Sequence, residues 1–339
     1  MDTPLLEVKD LKTYFLMKKE TVKAVDGVSF VVHEGETFGL VGESGCGKSM
    51  TCRSILGLVK KPGKVVGGEI LYKGEDLLQM SQKQLQQRIR GKEIGMIFQE
   101  PMTALNPLLK VKEQIFDALD PKIYDTKEKR YDRALEMLKL VGIPAPEDRL
   151  EEYPHQFSGG MRQRVMIAIA LSSGLKLVLA DEPTTALDVT IQDQVMKLIN
   201  NLRDELKMSV ILITHDLGVV AQMCDRVAVM YAGHILEMTD CRMLFNAPRH
   251  PYTHALLQSL PGTGTKKDRL STIQGAPPNL ANLPAGCPFA PRCDLTCDLC
   301  HQELPELLPY DGDPDHLVRC HIRDERTRYP SAVRKEGDA

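Results

Sequence analysis

Eight residues govern what this chain can become: Gly42-Glu43-Ser44-Gly45-Cys46-Gly47-Lys48-Ser49. They fit the pattern G-x-x-x-x-G-K-[ST], and their neighbours fit it too. Residues 37–41 form a short apolar run that reads as a buried strand, and residues 50–58 read as the helix that follows. Glycines let the backbone curl until successive N–H groups face one anion, and the helix N-terminus adds the positive end of its dipole. In such a loop Gly42, Ser44, Gly45, Cys46, Gly47 and Met50 surround the phosphates. Lys48 reaches the β- and γ-phosphates, and Ser49 places its hydroxyl on Mg²⁺. The segment predicts binding of a nucleoside triphosphate.

A second apolar run, residues 177–180, ends in Asp181-Glu182. An Asp at the end of such a strand holds the Mg²⁺ water shell beside the loop serine, and an adjacent Glu is placed to polarise the attacking water. Between the two runs lies Phe157-Ser158-Gly159-Gly160-Met161, leading into an apolar helical stretch. Ser158, Gly159 and Gly160 at a helix start supply a hydroxyl and unhindered N–H groups, which makes another anion site. One γ-phosphate does not need two such sites in one chain. Two chains packed head to tail would use both.

The order of further motifs makes a resemblance specific. After the phosphate loop come Gln99, within Ile97-Phe98-Gln99-Glu100-Pro101, then Ser-Gly-Gly, then Asp181-Glu182-Pro183. Thr185-Ala186-Leu187-Asp188 and Thr214-His215-Asp216 complete the series. The chain resembles the ATP-binding-cassette family, with each of its motifs present. That resemblance implies an α/β fold, the P-loop (RecA-like) nucleotide-binding domain with a β-rich N-terminal subdomain and a helical subdomain. It implies that Glu182 is the catalytic base, that Lys48, Gln99 and His215 act with it, and that His215 contacts the γ-phosphate. Ser49, Gln99 and Asp181 are expected to position Mg²⁺, and Asp188 to communicate across a dimer. Adenine is expected to stack on Phe15, with Tyr14 next. The family's usual Leu-Ser-Gly-Gly-Gln is Phe-Ser-Gly-Gly-Met here, which leaves the Ser-Gly-Gly intact, and Met50 stands where Thr is frequent.

The 339 residues exceed one typical domain, and 42% hydrophobic content is enough for a sizeable core. No apolar run reaches membrane-spanning length and no N-terminal signal pattern is seen, so a cytoplasmic chain is expected, acting on a membrane through partners. A net charge of −3 without a basic stripe argues against nucleic acid. Residues 1–239 are expected to form the ATPase domain, with a helical subdomain at about 101–157 that includes periodic runs at 111–119 and 129–141. Within 99–109, Pro101, Leu105 and Pro107 are expected to shape an exposed apolar groove for a membrane subunit. Residues 227–231 and 234–238 straddle Ala-Gly like a hairpin.

Residues 240–330 read as an extension that hydrolysis does not require. It carries a short helical run at 255–260, a Gly/Pro/Lys-rich linker at 261–284, and then Cys287, Cys293, Cys297, Cys300 and Cys320, five of the nine cysteines. Clustered thiols in a cytoplasmic chain point to a metal or to redox chemistry. The run Gly286-Cys287-Pro288-Phe289-Ala290-Pro291-Arg292-Cys293 with Cys300 and Cys320-His321 resembles the tail of dipeptide, oligopeptide and nickel permease ATPases. In that subfamily the tail can be a Cys-rich metal-cluster extension, a reduced Cys-rich loop without metal being the plainer reading. The resemblance implies a [4Fe–4S] cluster on Cys287, Cys293, Cys300 and Cys320, without Cys297. Zinc stays open as the alternative, since Cys297 and Cys300 form a C-x-x-C pair and His301, His316 and His321 offer nitrogen ligands. Because the tail lies beyond Asp188 and His215, loss of the cluster is expected to spare ATP binding by the isolated cassette. Cys46, inside the phosphate loop, is expected to be open to alkylation.

The resemblance implies an ATP-hydrolysing importer subunit for dipeptides or oligopeptides on the cytoplasmic face of the membrane. Its partners would be two transmembrane permease subunits, a second ATPase (a paralogue rather than a copy) and, indirectly, an extracellular or periplasmic peptide-binding protein. A nickel-chelate importer is the nearest alternative. Cassette ATPases of DNA repair or translation fit less well, because they join two cassettes in one chain and place their metal modules elsewhere.

Overall fold

The computed structural model describes residues 4–99, 105–184, 188–259 and 273–321. The chain divides into two compact units. One comprises the start of the chain to Leu6, Val32–Thr37 and Tyr72–Ile213, and the other comprises Glu7–Val31, Phe38–Leu71 and the chain from Thr214 onward.

The unit that carries the phosphate loop is built mainly from two sheets. In the first, β1 (Pro4–Leu16) lies between β2 (Thr21–His33) and β4 (Gly63–Tyr72). Val25, Val28, Phe30 and Val32 of β2 are buried, which is the alternation of a sheet with one dry face. The second sheet runs β11-β12-β10-β9-β3, from β3 (Thr37–Val41) through β9 (Arg226–Tyr231) and β10 (His234–Asp240) to β12 (Asp313–Val318) and β11 (Leu308–Tyr310). β3 and β9 are parallel, with Phe38 opposite Arg226, while β9 and β10 form the expected hairpin around Ala232-Gly233, with Tyr231 opposite His234.

The tail is therefore built into the unit that holds the phosphate loop. Its β12 pairs with β10, Val318 opposite Glu237. Glu237 is fully buried, and its carboxylate accepts the N–H groups of Arg249 at 2.7 Å and His250 at 2.9 Å and the Nε2 of His316 at 2.7 Å. Three donors meet the cost of burying that polar group and pin the tail to β10. The helix Pro251–Gln258 starts four residues before the expected run, because Pro251 occupies the first turn and the His250 ring accepts from Tyr252 N–H.

The other unit contains the short β5 (Glu75–Asp76) and the parallel order β8-β7-β6, with β6 (Ile94–Ile97), β7 (Leu177–Asp181) and β8 (Ser209–Thr214). All five residues of β7 are buried, as a parallel strand covered on both faces requires. The helices Val111–Ala118 and Lys127–Leu140 bury Val111, Ile115, Ala134, Met137 and Leu138, and both pack against the helix Gly159–Leu171. Among the described residues no helix is long and apolar enough to cross a membrane.

Candidate nucleotide site and cysteine-lined pocket

The phosphate loop joins β3 to the helix Lys48–Ile55. Two of its glycines are irreplaceable on steric grounds. Gly42 has φ 151° and a Cβ there would lie 2.0 Å from the Met230 carbonyl oxygen; Gly47 has φ 110° and its Cβ would lie 2.2 Å from that of Ala24. Lys48 is 4% exposed, and its ammonium donates to the carbonyls of Gly42 at 2.7 Å and Glu43 at 2.9 Å. Ser44 and Gly45 stand at the exposed tip of the turn, and Ser49 and Met50 open the helix. Cys46 is buried, and burial raises its thiol above the ordinary range against the pull of Lys48. A covered, protonated thiol is a poor nucleophile, which corrects the expectation of easy alkylation.

In the same unit Tyr14 donates from its hydroxyl to Asp26 at 2.6 Å, and the Lys23 ammonium lies 5.6 Å from its ring centre. Phe15 beside it is half-buried. His215 is exposed and directly precedes Asp216, whose carboxylate caps the helix Leu217–Met223.

In the other unit, parallel pairing of β6 with β7 delivers Gln99 and Asp181-Glu182 from neighbouring strand ends. Asp181 is 2% exposed. Gln99 Nε2 donates to Glu182 Oε2 at 2.9 Å, and Glu182 holds φ 46°, a left-handed conformation that its N–H supports by donating to the Ile213 carbonyl at 3.0 Å. Ser158 caps the helix Gly159–Leu171, its hydroxyl accepting from Met161 N–H, and Gly160 packs so closely on Ile191 that a Cβ would lie 3.2 Å from it. Asp188 caps the helix Val189–Leu206 in the same way. One participant escaped the sequence reading. Gln163, 1% exposed, donates to the carbonyl of Pro183 and so ties the Ser-Gly-Gly helix to the turn after Glu182. Nothing in one sequence distinguishes that glutamine from an ordinary helix residue.

The expected apolar groove needs correction. Leu105 is 5% exposed and belongs to the core, whereas Leu108 at 82% and Phe98 at 42% are the apolar side chains that face outward. Glu100, Pro101 and Thr185-Ala186-Leu187 lie outside the described residues.

In the tail, Cys287, Cys293, Cys300 and Cys320 line one pocket with His250, Pro251, Phe289, Ala290, Pro305 and His321; Cys297 does not line it and lies with its sulfur 3.3 Å from that of Cys300. Burial pushes the Cys287 thiol up to about 11 and the Cys293 thiol up to about 12. The backbone keeps the two arms of the loop together, Cys287 N–H donating to the Cys300 carbonyl at 2.8 Å. Among the described residues no group of three or more Cys, His, Asp or Glu side chains is arranged to hold a metal ion, and that covers the four pocket cysteines as well as the C-x-x-C pair and the tail histidines. The His250 Nε2 is buried without a hydrogen-bond partner.

Residues 25–185 match the family described as ABC transporter, and residues 236–300 match the family described as Oligopeptide/dipeptide transporter, C-terminal region. The oligopeptide transport ATP-binding protein AppD of Bacillus subtilis is 50% identical over 322 residues, covering 95% of this chain and 97% of the relative. The dipeptide transport ATP-binding protein DppD of the same organism is 49% identical, with 96% of each chain covered. The DppD of Haemophilus influenzae is 50% identical over 94% of this chain and 95% of its own. Among solved structures, the ATP-binding cassette MJ0796 bound to ADP and Pi superposes with a TM-score of 0.61 at 30% identity, over 70% of this chain and 99% of the other. CbiO1 of Clostridium perfringens superposes with a TM-score of 0.62 at 27% identity, over 73% of this chain and 92% of the other.

Proposed function

This chain belongs to the family of ATP-binding subunits of dipeptide and oligopeptide transporters, and from that premise we propose that it hydrolyses ATP to drive a peptide importer. One observation carries the reading: the nucleotide-binding family and the oligopeptide/dipeptide C-terminal family match successive parts of a single chain. The relatives described above are named for dipeptides and oligopeptides, which supports the peptide reading over a nickel chelate, DNA repair or translation. The protein acts peripherally on the cytoplasmic face of the membrane, with two permease subunits, a second ATPase and a peptide-binding protein.

In this reading Lys48 and the loop amides, including those of Ser44, Gly45, Cys46 and Gly47, neutralise the β- and γ-phosphates, where charge is held during phosphoryl transfer. Ser49, Gln99 and Asp181 position Mg²⁺. Glu182 orients and deprotonates the attacking water. His215 steadies the γ-phosphate, Ser158, Gly159 and Gly160 act on the ATP of the partner ATPase, and Asp188 signals between the two. Phe15 takes the adenine. The choice over Tyr14 is supported by Tyr14 being engaged through its hydroxyl with Asp26. Phosphate-loop and peptide-transport roles are tested together in the assembled transporter. Lys48→Ala should abolish peptide-dependent ATPase and uptake, and uptake persisting in that variant would overturn the reading.

The finer reading of the tail is a [4Fe–4S] cluster held by Cys287, Cys293, Cys300 and Cys320. It is supported by these four thiols, and not Cys297, sharing one pocket. The raised thiols of Cys287 and Cys293 would give up protons on binding, and iron shared by the four cysteines would join the tail into one folded piece and supply folding free energy. The proposed division of the sequence is an ATPase domain at 1–239, with its helical part at about 101–157, and a transporter-specific extension at 240–330.

A further inference from the structure

Glu43, the first variable residue of the phosphate loop, is gripped by the tail at its backbone and at its side chain. Its N–H donates to the Tyr252 hydroxyl at 3.1 Å. Its carboxylate accepts two bonds from Arg292, Nη1 to Oε2 at 2.8 Å and Nη2 to Oε1 at 3.1 Å. That two-pronged arrangement fixes direction as well as charge. Arg292 is itself immobilised, its side chain 7% exposed. Its Nε donates to the Gln274 carbonyl at 2.9 Å and its Nη1 also to the Tyr231 hydroxyl at 3.1 Å, with the guanidinium 5.8 Å from the centre of the Tyr231 ring. Tyr231, Tyr252 and Phe289 pack on one another with ring centres 4.7 to 5.4 Å apart, which closes the cluster from below.

The position of Arg292 in sequence gives this grip its meaning. It ends the single turn Ala290–Arg292, directly before Cys293 and five residues after Cys287. The short loop that presents the thiols also presents the guanidinium. A carboxylate on a loop that must receive a polyphosphate has the wrong sign for the task. Left unpaired in a partly desolvated setting it would repel the incoming anion. Paired with Arg292 it is neutral to the phosphates and becomes a handle on the turn that starts at Gly42.

We propose that Arg292 is a positioning residue for ATP: by neutralising Glu43 and fixing the Gly42–Gly45 turn, it makes the affinity of the phosphate loop depend on the folding of the cysteine-bearing tail. The proposal rests on the reading of that loop as the ATP site. It reaches beyond that reading, because it assigns a role in nucleotide binding to a residue 249 positions from the loop.

The test is a thermodynamic cycle on the purified full-length chain, titrated with a fluorescent ATP analogue and Mg²⁺. Arg292→Ala should raise Kd about tenfold, in the range seen for coupled charged neighbours, and Arg292→Lys should recover part of the loss. Arg292→Ala combined with Glu43→Gln should return Kd to within about threefold of the original, because the unpaired charge is gone. In the assembled transporter KM for ATP should rise in Arg292→Ala more than kcat falls. An unchanged Kd in Arg292→Ala would overturn the proposal. So would a double variant as weak as the single one, which is the signature of a residue that merely folds the tail. Failure of the unsubstituted chain to bind the analogue would overturn the ATP reading itself, and this proposal with it.

Discussion

Gln99 Nε2 donates a 2.9 Å hydrogen bond to Glu182 Oε2, joining two side chains 83 residues apart in sequence. The pairing follows from the sheet. β6 and β7 run parallel with Ile97 opposite Ala180, so the residues just past each strand emerge at one edge. Glu182 is held there in a left-handed conformation that a glutamate rarely adopts, and such strain persists where the surroundings over-determine it. Gln99 thus orients the proposed base. Gln99→Ala should lower ATP turnover in the assembled transporter by about tenfold or more while leaving ATP affinity within a few fold, since it removes orientation and not the base itself. Turnover equal to that of the unsubstituted transporter would detach Gln99 from catalysis.

Acid should weaken the fold before the carboxylates titrate. His234 and His250 are 5% and 2% exposed, and each has a ring nitrogen without a hydrogen-bond partner. Burial pushes both imidazoles down to about 4, with the Arg319 charge adding to the effect on His234. In the unfolded chain they titrate near about 6.5. Between these values the unfolded state binds more protons, so stability is fully present above about pH 6.5 and is lost as pH falls toward 4. Each histidine adds up to about 1.4 kcal/mol per pH unit in that window. Urea unfolding of the full chain at pH 7, 5.5 and 4.5 should show this decline, and His234→Gln should cut its slope by about half, leaving the share of His250. A stability that stays level from pH 6.5 to 4.5 would contradict the assignment of both histidines as buried and neutral.

The tail makes a spectroscopic prediction. Protein purified without oxygen should be brown, absorb broadly near roughly 400 nm and carry about four irons per chain. Substituting Cys287, Cys293, Cys300 or Cys320 should bleach it, whereas Cys297→Ser should not. Stoichiometric zinc without iron would remove the cluster and leave the transporter reading intact.

The phosphate loop, the Asp181-Glu182 strand end and the Ser-Gly-Gly helix cap were legible because phosphate chemistry demands short, contiguous strings of particular residues. The fully buried β3 and β7 were legible as apolar runs. Relationships across distance were not. Glu43 occupies a position the loop pattern leaves free, and Arg292 lies 249 residues away, so no local pattern joins them. The tail strands β11 and β12 carry Pro309 and Pro314, and no strand was expected there. Proline removes a ladder donor, yet it is tolerated where the pairing does not need one, and the pairing of β12 with β10 runs through Leu317 and Val318. Leu105 was misjudged for a related reason: one apolar residue between prolines carries no periodicity to say which way it faces.

The central claim is that Glu182 activates water for ATP hydrolysis that drives peptide import, and one substitution tests it most directly. In the assembled transporter, Glu182→Gln should retain ATP binding, reduce hydrolysis by at least about a hundredfold and leave a nucleotide-trapped ATPase pair that no longer imports peptide, because an amide cannot accept the proton of water. Peptide-dependent ATPase at the level of the unsubstituted transporter in Glu182→Gln would contradict the account.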